Sequence, residues 1–163
     1  MTATDDLLRN AEAYAQRFDK HELPAPPARR VAVLACMDAR LAPMRLLGLQ
    51  EGDAHVIRNA GGVVSDDAIR SLAISQNLMG TREIVVIQHT GCGMLMPTDD
   101  HMRRKLKEAI GEEPAWPLHT FSDLEHSVRE TVDRLHRTPF IPHKGSIRGF
   151  VYEVETGKLR EVT

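Results

Sequence analysis

Four strand-length stretches punctuate the chain, at 30–35, 54–59, 83–88 and 147–154, and the first and third are runs of β-branched and aliphatic residues. None is longer than a strand. A near-continuous apolar run of that length fits a strand buried on both faces, as in a parallel sheet. A shorter segment, 159–162, follows Thr156-Gly157 and supplies a fifth strand, although that dipeptide is not among the favoured hairpin pairs. Between the strands the apolar positions recur at helical spacing. Leu7, Ala11, Tyr14 and Phe18 share one face of a helix that Thr4 can cap. Residues 43–47 form a short helical stretch stopped by Gly48. Ser65 caps a helix through Met79, with Asp66 and Asp67 in its first turn and Gly80 at its end. Thr98 caps another, with Met102, Leu106, Ala109 and Ile110 inward, and Thr120 or Ser122 starts the last, with Leu124, Val128, Val132 and Leu135 inward. Strand and helix in alternation predict an α/β fold: a mainly parallel β-sheet flanked by helices on both faces, in three layers.

A length of 163 residues fits one domain, 1–163, within which 1–28 form an N-terminal helix and a proline-rich arm. The three prolines of Leu23-Pro24-Ala25-Pro26-Pro27-Ala28 exclude regular helix and favour a stiff, extended connector. The helix before it finds no partner within an αβ unit and is expected to pack across a subunit boundary. Aromatic residues are only 4% of the chain, so the core must rest on Leu, Ile, Val, Met and Ala. The formal charge is −2, and no basic block points to nucleic acid. No apolar run approaches the roughly 20 residues of a membrane span. Thr4, Asp5 and Asp6 do not make a cationic leader. The expectation is a cytoplasmic protein acting on a small soluble molecule, with neither nucleic acid nor membrane as partner.

Candidate chemistry sits where two apolar runs end. The chain has two cysteines, Cys36 in Cys36-Met37-Asp38-Ala39-Arg40 and Cys92 in His89-Thr90-Gly91-Cys92, and each segment follows a predicted strand. Ligands of open α/β sheets gather at the carboxyl ends of the strands. Two strand ends therefore deliver two thiols and an imidazole toward one spot, with Gly91 and Gly93 allowing the tight path that turns His89 and Cys92 inward. Cys, His and Cys suit a zinc ion that keeps a fourth position for a carboxylate or a water. Taken singly, a buried cysteine or histidine is ordinary core; the coincidence of the three argues for a metal. A redox pair fits less well, because the Cys-x-x-Cys spacing is missing. Asp38 and Arg40 lie two apart, on one face of an extended backbone, where Arg40 can hold the carboxylate bidentately.

In three segments, in the same order and at about the same spacing, the chain resembles the β-class carbonic anhydrases: Cys36-x-Asp38-x-Arg40, Arg58-Asn59-Ala60-Gly61-Gly62 and His89-Thr90-Gly91-Cys92-Gly93. The resemblance covers residues 31–94 strongly and the closing strand more loosely. It implies a mainly parallel sheet flanked by helices, a homodimer or higher multiple of dimers, and an N-terminal helix that reaches over the neighbouring subunit. It implies one zinc ion per subunit, held by Cys36, His89 and Cys92. Asp38 and Arg40 become the catalytic dyad, with Asp38 as a fourth ligand in a closed state. Ala60, Gly61 and Gly62 become the wall of the substrate pocket. The implied reaction is reversible hydration of carbon dioxide to bicarbonate and a proton by zinc-bound hydroxide. Where the plant-type branch has a glutamine-bearing segment before the first strand, this chain has 24–28, which aligns it with the shorter microbial branch.

Two thiolate ligands offset the charge of zinc, so its water should be less acidic than at a site of neutral ligands, and the optimum should be alkaline. No proton shuttle is evident. His55 and His101 are read first as solvated surface histidines, and His119, His126, His136 and His143 have no metal-like spacing. Arg103-Arg104-Lys105 and Lys107 read as a solvated helix face. Three rivals stay open: a carbonyl sulfide or carbon disulfide hydrolase on the same zinc site, a non-catalytic protein stabilised by zinc, and a cysteine-based redox protein.

Overall fold

In the computed structural model, which describes residues 2–163, five strands form one sheet. The elements run α1 (Ala3–Ala15), β1 (Val31–Cys36), α2 (Pro43–Leu46), β2 (Ala54–Asn59), α3 (Asp66–Met79), β3 (Glu83–His89), α4 (Asp99–Ile110), α5 (Leu124–Arg137), β4 (Ile147–Tyr152) and β5 (Leu159–Glu161). The strand order is β2-β1-β3-β4-β5, with β1 to β4 mutually parallel and β5 antiparallel on the edge. The α/β class and the mainly parallel sheet are as expected.

Alternate residues of the central strands feed two cores. Ala32 and Leu34 of β1 and Ile84 and Val86 of β3 face α3 and α5, where Ala68, Leu72, Val132 and Leu135 close over them. Val33, Ala35 and Ile87 face the other way, toward Leu41, Leu46 and Leu47 around the short α2 and toward Met94 and Phe121. Right-handed crossovers account for this division. The connection from β1 to β2 moves one way along the sheet, and those from β2 to β3 and from β3 to β4 move the other. The reversal falls between β1 and β3, at whose carboxyl ends the ligand crevice of an open α/β sheet is expected. Cys36 is the last residue of β1 and His89 the last of β3.

Several boundaries differ from the sequence expectation for identifiable reasons. Helix α1 is capped by Thr2, not Thr4: Thr2 and Asp5 satisfy each other's backbone N–H groups in a capping box. It ends at Ala15 and so excludes Phe18. Arg30 has φ 54°, outside the strand region, and β1 begins one residue later. Helix α5 is capped by Asp123, whose carboxylate accepts from the His126 N–H, rather than by Thr120 or Ser122. Strand β4 stops at Tyr152 because residues 153–157 make the turn to β5. In α4 only Met102 and Leu106 of the four expected inward positions are half-buried, while Ala109 and Ile110 are exposed. Arg103 is not simply solvated, since it donates to the carbonyls of Pro114 and Trp116.

The turn after β2 is wedged between the two central strands. Gly62 has φ 62°, and a β-carbon there would lie 2.7 Å from both the Cys36 nitrogen and the Ile87 carbonyl oxygen. Backbone atoms in the middle of a sheet cannot move aside. Gly62→Ala is expected to destabilise the protein by at least about 3 kcal/mol, from overpacking added to strain. Gly80→Ala, at the open C-cap of α3 with φ 76°, should cost only about 1–2 kcal/mol. Urea unfolding of the two variants measures the difference; equal losses would contradict the wedge.

Candidate metal centre

The crevice brings Cys36, His89 and Cys92 together: their donor atoms all lie within 4.8 Å of one another, and all three residues are buried. The two Sγ atoms are 3.9 Å apart. Two sulfurs bound at about 2.3 Å to one tetrahedral ion would be about 3.8 Å apart, so the pair is set for a shared cation. His89 Nδ1 lies 2.8 Å from the Thr90 carbonyl oxygen, which fixes the proton on that nitrogen. Its Nε2 is then a lone-pair acceptor, buried and without a hydrogen-bond partner among the described residues. A buried orphan of this kind demands an explanation, and a metal ion supplies one. The thiols make the same point. A hydrogen bond from Cys92 holds Cys36 below the ordinary thiol range, while Cys36, and then burial, push Cys92 far above it. The two sulfurs share a proton where a cation would let both ionise.

Asp38 adjoins this group, with Oδ2 3.6 Å from His89 Nε2. Arg40 grips the carboxylate from two sides: its backbone N–H and Nε donate to Oδ1 at 2.9 Å, and Nη2 donates to Oδ2 at 2.8 Å. These hydrogen bonds hold the Asp38 carboxyl well below the usual carboxylate range, so it is ionised at any physiological pH. Arg40 Nη2 also donates to the Gly91 carbonyl, at 3.1 Å.

Of the predicted pocket residues, Gly62 is the wedge between β1 and β3, and Gly61 backs onto Phe121 and Met94. Ala60 lines an apolar groove with Met94, Met102, Leu106, Trp116 and Leu118. His55 is neither solvated nor at the site: it pairs with Ala32 four positions before the end of β2, and Nδ1 is 2.8 Å from the buried Ser75 hydroxyl.

Two contributions were missed in the sequence. Arg58 appeared there only as part of a motif, but its guanidinium donates to the carbonyls of Cys36 (3.0 and 2.8 Å), Asp38 (2.8 Å) and Leu41 (2.8 Å). It pins the loop that carries Asp38 and Arg40. A charged residue in the penultimate position of a parallel strand, beside the candidate site's own strand end, was the available signal. Asp99 is the second. It accepts from the N–H groups of Leu118, His119 and Thr120 and from the Thr120 hydroxyl. Burial alone would raise its pKa, but these four donors outweigh it and hold the carboxyl at about 2. The loop they shape brings Phe121 into backbone pairing with Met94 and Met96, two and four residues after Cys92.

A mainly parallel α/β protein with a Cys2His donor set beside an Arg-held aspartate is the class that fold and site define. The carbonic anhydrase family model matches residues 31–159, and the chain belongs to the β-carbonic anhydrase family, with the enzyme class that this entails. It is 53% identical to Beta-carbonic anhydrase 1 of Mycobacterium tuberculosis (strain ATCC 25618 / H37Rv), over 100% of this chain and 99% of that one. The crystal structure of a carbonic anhydrase from Streptococcus mutans superposes with a TM-score of 0.93 at 42% identity, covering 100% and 99% of the two chains. A carbon disulfide hydrolase of Acidithiobacillus thiooxidans is 35% identical over 98% of this chain and 90% of its own.

Two outcomes follow from the missed residues. Arg58→Ala should lower stability by about 2–4 kcal/mol, since three buried or half-buried carbonyls lose a charged donor. Arg58→Lys should not restore it, because one ammonium cannot reach all three. Equilibrium unfolding decides both. Asp99 has a lower pKa folded (about 2) than its ordinary 3.8. Its contribution is therefore complete above the ordinary value and is lost as pH falls through the folded one. The stability gap between the protein and Asp99→Asn, measured by urea unfolding, should stay constant above pH ~5 and shrink between about 4 and 2. A gap that grows on acidification would contradict this account.

Proposed function

We propose that the chain catalyses the reversible hydration of carbon dioxide to bicarbonate and a proton, using one zinc ion per chain held by Cys36, His89 and Cys92. The observation that carries the reading is the buried, unpartnered His89 Nε2 facing two thiols, 3.6 Å from a carboxylate that Arg40 keeps ionised. When bound, zinc supplies an electrophile that makes water acidic enough to yield hydroxide, less so with two thiolate ligands than with neutral ones, which moves the optimum to the alkaline side.

The remaining work belongs to the protein's own side chains. His89 keeps its Nδ1 proton on the Thr90 carbonyl and its Nε2 lone pair toward the thiols. Asp38, ionised and acceptor-only, would accept a hydrogen bond at Oδ2 from the reacting water and orient it toward carbon dioxide. Arg40 fixes that carboxylate by its bidentate grip and so would keep it free to accept from water. A closed state, with Asp38 as fourth ligand, requires breaking this grip. Ala60, Gly61 and Gly62 form the adjacent wall.

The exposed Leu7 and Leu8 of α1, with Tyr14 and Phe18, suit a homodimer or a multiple of dimers in which α1 lies on a neighbouring subunit. No helix among the described residues is long and apolar enough to cross a membrane. Two reduced thiol ligands suit a cytoplasmic setting. The carbon disulfide hydrolase relative makes a sulfur-containing heterocumulene the alternative substrate, since the same nucleophile would attack it.

Stopped-flow carbon dioxide hydration by metal-verified protein at pH ~8.5 tests the proposal. Activity should be lost in Cys92→Ala together with the zinc. Asp38→Asn should retain zinc and lose about 10²–10⁴ in kcat. The rate should still be rising above pH ~7, and a profile already flat by about 6.5 would overturn the thiolate argument. A zinc-replete protein inactive on carbon dioxide but active on carbon disulfide would move the assignment to the hydrolase.

A further inference from the structure

The dipeptide Thr90-Gly91 presents two carbonyls to the site, and each receives one of its working groups. Thr90 O takes the His89 Nδ1 proton at 2.8 Å, and Gly91 O takes Arg40 Nη2 at 3.1 Å. The orientation of these two peptide planes therefore determines which His89 nitrogen is free, and where the guanidinium that grips Asp38 comes to rest. Cys92 follows immediately.

What orients the dipeptide is the far side of Thr90. Its N–H donates to the Tyr152 carbonyl at 3.0 Å, at the end of β4. Its hydroxyl accepts from the Val154 N–H at 3.0 Å and donates to Glu155 Oε2 at 3.0 Å. The one hydroxyl proton is committed to the carboxylate and a lone pair to the amide, so the side chain has a single seat. Glu155 stands in the turn between β4 and β5, and, after Asp38, it adds to the attraction that keeps Arg40 charged.

We propose that Thr90 is a positioning residue of this centre, through which the β4–β5 turn sets the His89 tautomer and the seat of Arg40. The inference rests on the reading of Cys36, His89 and Cys92 as the zinc site of a carbon dioxide hydratase. A purely structural threonine would stabilise the turn and leave the metal centre indifferent to its hydroxyl.

The test uses zinc-loaded, full-length protein and the variants Thr90→Val, Thr90→Ser and Glu155→Ala. Two quantities are read: the rate of zinc release to a chromophoric chelator below the unfolding range, and the separate kcat and KM for hydration. Thr90→Val should release zinc about 10-fold faster and lose about 10–100-fold in kcat, the usual size of an outer-shell loss, with KM within about two-fold. Thr90→Ser, which keeps the hydroxyl, should restore both. Glu155→Ala should move both in the same direction by less, because Val154 still anchors the hydroxyl.

A folded Thr90→Val with wild-type release and kcat overturns the proposal, even if its Tm falls. So does a Thr90→Ser as impaired as the valine variant. Should Thr90→Val fail to fold, Glu155→Ala decides in its place, and unchanged zinc release there refutes the coupling. If the wild type binds zinc but hydrates no carbon dioxide, the functional reading fails, and zinc release alone decides this one. A wild type that takes up no zinc overturns both.

Discussion

Two thiols and an imidazole are forced together at one buried point, with an acceptor nitrogen that nothing among the described residues satisfies. In a solvent-poor site this arrangement is unfavourable, because each unpaired polar atom forfeits the hydrogen bonds that water gave it. It persists because a rigid sheet imposes it. Cys36 and His89 end adjacent parallel strands whose Ala35–Ile87 register is fixed by two packed faces, so neither side chain can withdraw without slipping a central strand. Much of the rest follows from this constraint. The donors are held at a separation that suits one ion before any ion arrives, which limits the reorganisation that binding requires.

The surrounding charges are arranged for the same end. A site of two thiolates with a carboxylate at its edge would repel itself, and Arg40 offsets that repulsion, while Arg58 serves the backbone. Arg40 meets Asp38 directly, with a planar fork that matches a carboxylate. Arg58 meets no carboxylate: its donors go to three backbone carbonyls of the Cys36–Leu41 segment and tie down the loop. Neither role is interchangeable with lysine, since each depends on several donors in a fixed plane. The Thr90-Gly91 dipeptide completes the frame from the β3 side, so the Asp38–Arg40 pair is braced by both central strands.

The proposed dimer would cover surfaces that the chain itself leaves open. No residue of α1 or α4 is buried, yet α1 carries Leu7 and Leu8, and α4 borders an apolar groove with Met102 and Leu106. That groove reaches Ala60 and Met94 and so abuts the metal centre. Propensity and capping make α1 a helix, with Thr2 and Asp5 closing its start, but packing within the chain does not hold it down. Such a helix is marginal alone, and its apolar face is the surface that the proposed association would cover.

The strands, the sheet class and the candidate donors Cys36, His89 and Cys92 were all legible along the chain. Central parallel strands are buried on both faces and so predominantly apolar, which made β1 and β3 legible to within a residue, and chemistry at their carboxyl ends stood out against them. Ser65 and Thr98, as caps, marked α3 and α4 for the same reason: a local hydrogen bond decides where a helix begins. Only the tertiary structure decided what depends on distant partners. The four donors around Asp99 come from residues 19 to 21 positions away, and a run of acidic residues carries no sign of them. His55 read as a surface histidine until α3 brought Ser75 against it. Arg58 is a charge on a strand in the sequence and a clamp in the fold, because the carbonyls it binds turn toward it only once β1 and β2 pair. Local propensity is encoded residue by residue, whereas the orientation of a ligand depends on contacts that exist only after the chain has closed on itself.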